Sequence, residues 1–230
     1  MTKVAMISGA SRGIGRAIAE ELGRQGIALS LAIRDPALKP GEGFAPAGMM
    51  SFAYQATDPG SERAWVEATM AHFGRIDILV NAAGILRNVS LADGAEEDLD
   101  AMLAVNLKAP FRLIQAALPH LRASGHGRVV NVASLSGKRV RNGNAGYQMS
   151  KFAMVALSHA VRQAAFADGV RSLALCPGYV ATDMTAQAPL PQEEMTRPED
   201  LARLVALIVQ LPNTASISEL AVNCAYEAMF

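Results

Sequence analysis

The chain has 230 residues, with 21 Lys and Arg against 21 Asp and Glu, and a formal net charge of zero at pH 7. That balance lacks the basic excess that marks a nucleic-acid partner, and an apolar share of 51% with 18% charged residues suits one folded core rather than a disordered chain. Two cysteines, Cys176 and Cys224, have no paired spacing for a disulfide framework or a zinc site, and no run of 18 apolar residues marks a membrane span.

The elements alternate from one end to the other. Met1-Thr2-Lys3 leads straight into a strand at Val4 to Ile7, so neither a secretory signal nor a membrane anchor is expected, and the protein is expected to be cytoplasmic. A glycine-rich turn follows, then helical spacing over Ile14 to Leu22. Ile27 to Ile33 reads as a second strand, Pro36 to Met49 as a loop rich in Pro and Gly, and Ser51 to Tyr54 as a weaker third strand. Ala64 to Phe73 is a helix and Ile76 to Val80 a buried strand. Leu99 to Leu121 is a long helix that Pro110 should kink or break. Val129 to Val132 and Val170 to Leu175 are strands around the helix Ala145 to Ala167. The irregular stretch Thr182 to Arg197 suits a substrate lid (182–197), ahead of the helix Pro198 to Gln210 and a last strand near Leu220 to Val222.

Strands that are apolar throughout, rather than alternating, are covered on both faces, as in a parallel sheet between helices. The expectation is a single α/β domain over residues 1–230, doubly wound and Rossmann-like, with a mostly parallel sheet and helices on both faces. Ligands of such sheets bind beyond the carboxyl ends of the strands.

The run Ser8-Gly9-Ala10-Ser11-Arg12-Gly13-Ile14-Gly15 joins the first strand to the first helix. Gly9 permits a tight turn, Gly13 leaves room for backbone to approach a pyrophosphate, and Gly15 lets the helix lie close to the sheet. The free N–H groups at the helix start then favour an anion. The bland alternative, an ordinary glycine-rich strand-to-helix turn, stays open on spacing alone.

Tyr147 and Lys151 lie four apart on a helix and so share one face, and Ser134 follows the preceding strand. A carbonyl under reduction needs a proton donor and a hydrogen bond to its developing oxyanion. Tyr147 suits the first role and Ser134 the second, while Lys151 would hold a nicotinamide ribose and lower the phenol's pKa through its charge.

Taken in order, the GxxxGxG turn, Asn81-Ala82-Ala83-Gly84, Ser134, the Tyr147-x-x-x-Lys151 pair and Pro177-Gly178 resemble the short-chain dehydrogenase/reductases, over nearly the whole chain. The resemblance implies a nicotinamide oxidoreductase interconverting a carbonyl and a secondary alcohol, here on a small or mid-sized apolar substrate. It gives Asn106 the part of a fourth catalytic residue, positioning a water between Lys151 and solvent. It places Asn81, Ala83 and Gly84 along the adenosine ribose, and Pro177, Gly178, Val180 and Thr182 along the carboxamide. Where many relatives have an acid near the adenine amino group, this chain has Gln55, whose amide oxygen can accept the same bond.

The resemblance favours NADP over NAD. Ile33 stands where NAD-preferring members end the second strand with an acid, and Arg34 and Arg12 are the cations that NADP-preferring members use. Asp35 lies at the distance of a ribose-binding acid, yet before Pro36 it serves equally as a cap. The resemblance also implies a homodimer or homotetramer. Asp77 resembles a residue that steadies the neighbouring strand. No metal site is expected from four scattered histidines. Two rival functions remain: a non-catalytic NADP-binding regulator on the same fold, and an enzyme of this family acting on another bond.

Overall fold

The computed structural model of the chain describes residues 2–34 and 48–226. Seven strands form one parallel sheet: β1 (Val4–Ser8), β2 (Ala28–Ile33), β3 (Met49–Ala53), β4 (Ile78–Asn81), β5 (Arg128–Val132), β6 (Arg171–Pro177) and β7 (Glu219–Val222). Their spatial order is β3-β2-β1-β4-β5-β6-β7, which reverses direction between β1 and β4 and opens a crevice there. β1, β2, β4 and β5 are buried along their whole length, as continuous apolar strands should be, while the edge strands β3 and β7 are half-exposed.

Among the described residues six helices cover the sheet: α1 (Gly13–Arg24), α2 (Ser61–Phe73), α3 (Glu96–Leu103), α4 (Ala109–Ala123), α5 (Ala145–Ala165) and α6 (Pro198–Gln210). Side-chain alternation along β1 sorts them. Ala5 and Ile7 face a core built with Ile18 and Leu22 of α1 and Leu201 and Val205 of α6. Met6 faces the other core, with Trp65 of α2, Leu113 and Leu121 of α4 and Val161 of α5. Each large apolar side chain so buried stabilises the fold by about 1.5–3 kcal/mol before entropy is counted. Local signals set the helix ends. Gly74, in the left-handed region at φ 73°, closes α2 by giving its N–H to the Met70 carbonyl at 2.8 Å, and Pro198 opens α6, with Glu199 and Asp200 in its first turn.

Three expectations change. The long helix runs from Glu96 to Ala123 and is broken by one π-helical turn at Ala104–Lys108, just ahead of Pro110. Pro110 has no N–H for the Asn106 carbonyl and its ring crowds that carbonyl, and widening the preceding turn relieves the clash. The third strand starts two residues early, at Met49. Thr182 to Arg197 holds two short 3₁₀ turns, and its Thr196 forms a parallel bridge with Val180 ahead of the segment. Asp35 and most of the loop expected at Pro36 to Met49 lie outside the described residues. Asp77 behaves as expected: its Oδ2 accepts the Val4 N–H at 2.8 Å, and Arg75 holds both its carboxylate oxygens. Among the described residues no helix is long and apolar enough to cross a membrane.

Candidate active site

At the carboxyl edge of the sheet the glycine turn folds tightly onto the segment after β4. Ser8 Oγ accepts the N–H groups of Ala82 and Ala83 at 3.2 and 3.3 Å. Gly9 sits at φ 69°, and a Cβ there would lie 2.7 Å from the Ala83 nitrogen. Gly13, at φ 56°, packs instead against the Thr182 methyl, where a Cβ would come within 3.3 Å. A Cβ on Gly15 would stand 2.3 Å from the Gly9 carbonyl oxygen, so the start of α1 lies directly against the turn. That start has neither a side-chain cap nor an acid in its first turn. Its free N–H groups and partial positive charge are left for an anion.

The turn forms one end of a cleft of ≈ 1160 Å³, large enough for a dinucleotide and a further small molecule. Lining it are Gly9, Ser11, Arg12, Gly13, Ile14, Gly15, Arg34, Gln55, Ala83, Gly84, Ser134, Tyr147, Lys151, Pro177, Gly178, Val180 and Thr182. Two residues expected at the site stand behind this wall. Asn81 is buried, and its Nδ2 donates to Asn131 Oδ1 at 2.8 Å across neighbouring strands, so its side chain serves the sheet. Asn106 is fully buried in the π turn. Its amide grips Ile85, accepting that residue's N–H at 2.9 Å and donating to its carbonyl at 3.0 Å. Asn106 also donates to Ser150 Oγ at 3.1 Å, which donates in turn to the Tyr147 carbonyl at 2.8 Å. A Cβ on Gly84 would lie 3.4 Å from Asn106 Oδ1 and 3.8 Å from Lys151 Nζ, in ordinary contact with each, so this glycine sits beside both groups.

Tyr147 enters the cleft from the first turn of α5. Burial pushes its phenol up to about 12, and a hydrogen bond with the Ser134 side chain pulls the other way. The lowering expected from Lys151 is absent: burial raises the phenol, and the group that pulls it down is the Ser134 hydroxyl. Lys151 lies one turn on, with Nζ 5.6 Å from the Tyr147 ring centre and donating to the Val132 carbonyl at 2.9 Å. Burial brings its ammonium down to about 8. Ser134 caps the 3₁₀ turn Leu135–Gly137 by accepting the Ser136 N–H at 3.0 Å, which fixes Oγ beside the phenol. A neutral proton donor, a hydroxyl and a cation thus meet in one cleft with an anion-ready helix start.

Sequence reading missed three contributors. Asn144, the N-cap of α5, accepts the N–H groups of Tyr147 and Val89, both at 3.2 Å, and donates to the Arg87 carbonyl at 2.7 Å. Asn immediately before a helical run was a readable cap signal. Buried Glu62 accepts from Arg112 at 2.8 Å and from the Tyr54 hydroxyl at 3.4 Å, joining α2 and α4 beneath the loop that carries Gln55; nothing in the local sequence marks that pairing. Asp183 accepts from Arg12 at 2.8 Å and links the 182–197 segment to the glycine turn. Of the cations expected to choose the cofactor, Arg12 is thus engaged by that aspartate, while Arg34 is exposed on the cleft wall.

The chain resembles known proteins in sequence and in fold. A model described as short chain dehydrogenase matches residues 3–193. An agropine synthesis reductase of Rhizobium rhizogenes is 39% identical over 98% of this chain and 53% of its own, so the chain spans about half the length of that curated relative. The alcohol dehydrogenase of Thermococcus sibiricus, solved with 5-hydroxy-NADP, superposes with a TM-score of 0.88 at 28% identity over 99% of each chain. A 3-ketoacyl-(acyl-carrier-protein) reductase of Brucella melitensis, solved with NADH, gives 0.87 at 25% identity over 96% of this chain and 97% of that one.

Proposed function

Because the chain belongs to the short-chain dehydrogenase family, whose nicotinamide-dependent chemistry makes it an oxidoreductase, we propose that it interconverts a carbonyl and a secondary alcohol with NADP(H), using Tyr147 as acid in reduction and base in oxidation. The observation that carries this reading is the pairing of Tyr147 with Ser134, one helical turn from Lys151, in the cleft that the glycine turn opens.

The residues present fit the cofactor. The uncapped start of α1 suits a pyrophosphate, and Arg34 with Arg12 suits a ribose 2′-phosphate, Arg12 by exchanging its exposed and weak bond to Asp183. Lys151 suits the nicotinamide ribose. When bound, the reduced nicotinamide supplies the hydride that reaches the carbonyl carbon. As the carbon–oxygen double bond becomes an alkoxide, Tyr147 Oη gives its proton to the oxygen and Ser134 Oγ holds that oxygen by a hydrogen bond. A phenol at about 12 is ionised in only about one molecule in 10⁵ at pH 7, so the proton is present when reduction calls for it. The phenolate left behind lies close to the Lys151 ammonium, whose charge stabilises it until a proton returns from solvent. The 182–197 segment, tied to the glycine turn by Asp183, serves as the lid over the substrate end.

The reading is tested by following NADPH and NADH absorbance across a panel of aldehydes, ketones and diketones. Turnover faster with NADPH than with NADH supports it. Binding of NADPH with no turnover of any carbonyl favours a regulator, and a preference for NADH overturns the cofactor assignment. Exposed Phe111 on α4 and Met149 and Phe152 on α5 support a homodimer through these two helices. Sedimentation as two chains is expected, and sedimentation as one chain at micromolar concentration sinks it.

A further inference from the structure

Glu62, in the first turn of α2 and 2% exposed, pairs with Arg112 of α4, and the chemistry proposed above uses neither residue. Replacing a buried ion pair by apolar side chains is often neutral or stabilising, so joining two helices is a weak reason for this one.

Its geometry supplies a stronger reason. A guanidinium and a carboxylate that only join two helices gain most from two parallel bonds. Here Arg112 Nη2 is shared, donating to Glu62 Oε1 at 2.8 Å and to the Ala56 carbonyl at 3.0 Å. The same Oε1 accepts the Tyr54 hydroxyl at 3.4 Å, while Oε2 meets no hydrogen-bond partner among the described residues. Tyr54 and Ala56 are thus held by one ion pair, and Gln55, exposed on the cleft wall, stands between them. Two further bonds of this loop are local: the Asp58 N–H donates to the Gln55 carbonyl at 3.0 Å, and the Ser61 N–H to the Asp58 carbonyl at 3.2 Å. Those bonds shape the loop, and Arg112 fixes it to α4.

Strand order decides which part of a ligand this loop meets. On the reductase reading the pyrophosphate lies at the start of α1, after β1, and the nicotinamide ribose at Lys151, against the end of β5. The adenosine half then extends the other way, over the carboxyl ends of β2 and β3. The cleft wall there includes Ile33, Arg34 and the stretch from Tyr54 to Thr57.

We propose that Glu62 and Arg112 are positioning residues for the cofactor: by holding Tyr54 and Ala56 on either side of Gln55, they preset the loop against which the adenine of a nicotinamide dinucleotide rests. The proposal rests on the reductase reading above and adds to it a pair that touches neither cofactor nor substrate. A loop fixed before binding costs the ligand less to order, so the pair raises affinity without acting in the hydride step.

The test is binding, measured by calorimetric titration of the wild type, Glu62→Gln and the double variant Glu62→Gln, Arg112→Met. Glu62→Gln keeps an acceptor for Tyr54 and leaves Arg112 on the Ala56 carbonyl. The double variant removes that bond without leaving an unpaired charge. The ligands are NADPH, NADH, their adenosine halves 2′,5′-ADP and ADP, and reduced nicotinamide mononucleotide, which has no adenosine. For the dinucleotide that the wild type binds more tightly, and for its adenosine half, the dissociation constant should rise about tenfold in the double variant and stay within about threefold in Glu62→Gln. That of the mononucleotide should stay within about twofold in both. If the double variant does not fold, Glu62→Leu with Arg112→Met puts an apolar pair in its place and is held to the same expectation. Unchanged dinucleotide affinity, or a loss shared equally by the mononucleotide, would reduce the pair to a joint between helices and overturn the proposal, with the reductase reading left standing. A wild type that binds neither dinucleotide would overturn both.

Discussion

Tyr147 and Lys151 are displaced in opposite directions by the same cause. Burial disfavours charge, so it raises the acid that would become an anion and lowers the base that is already a cation. The consequence is directional. Reduction needs a protonated phenol, which is available at every usable pH, and an ammonium, which begins to lose its proton near pH 8. Below that point Lys151 carries its charge and stabilises the phenolate; above it the charge is lost. The pH profile of kcat/KM for reduction is therefore expected to be level from about pH 6 to 7 and to fall through a limb near pH 8. A profile flat to about pH 9.5 would show that the lysine charge is not needed. The sequence made both residues legible, because four-residue spacing on a helix places them on one face, but the sign of the phenol's shift was not legible. Desolvation depends on what closes over a side chain, and the hydroxyl of Ser134 and the walls of the cleft come from other parts of the chain.

The placement of these groups is a property of the elements that carry them. Asn144 closes the first turn of α5 and the loop after β4 with one amide, so the backbone from which Tyr147 projects is held from two sides. Removing it as Asn144→Ala should cost about 1 kcal/mol in stability from the lost cap. We expect kcat to fall about tenfold, with NADPH affinity changed less than twofold and activity largely recovered in Asn144→Asp. A variant with a lowered Tm and an unchanged kcat would reduce Asn144 to a helix cap and no more. Helix boundaries of this kind were open to sequence reading at α2 and α6, where Gly74 and Pro198 act through local backbone geometry alone. The π turn was not. Pro110 announced a disturbance, but its form was set by the packing that draws Asn106 inward, where it holds Ile85 and Ser150. The same limit hid Glu62 and Arg112, fifty residues apart and paired only once α2 and α4 lie together.

At the scale of the molecule, the order of the strands decides what can happen where. Four strands covered on both faces read in the sequence as unbroken apolar runs, and their parallel pairing follows from the helices that must connect them. Reversal of strand order between β1 and β4 then opens one crevice, and β4, β5 and β6 deliver Gly84, Ser134 and Pro177 to its rim. What the sequence could not supply was which of its loops meet at the cleft: Arg87 lies 52 positions before Arg139, and both line it only in the folded chain.

The account depends most on Tyr147 being the proton donor. The measurement that bears on it directly is a paired one on Tyr147→Phe: NADPH affinity by fluorescence titration, and single-turnover reduction of the best carbonyl substrate with the cofactor saturating. Loss of the phenolic proton should slow reduction about 10²–10⁴-fold, while the dissociation constant of NADPH stays within about threefold, because the phosphate turn and Lys151 are untouched. A Phe variant that reduces the substrate within a few-fold of the wild-type rate would contradict the account.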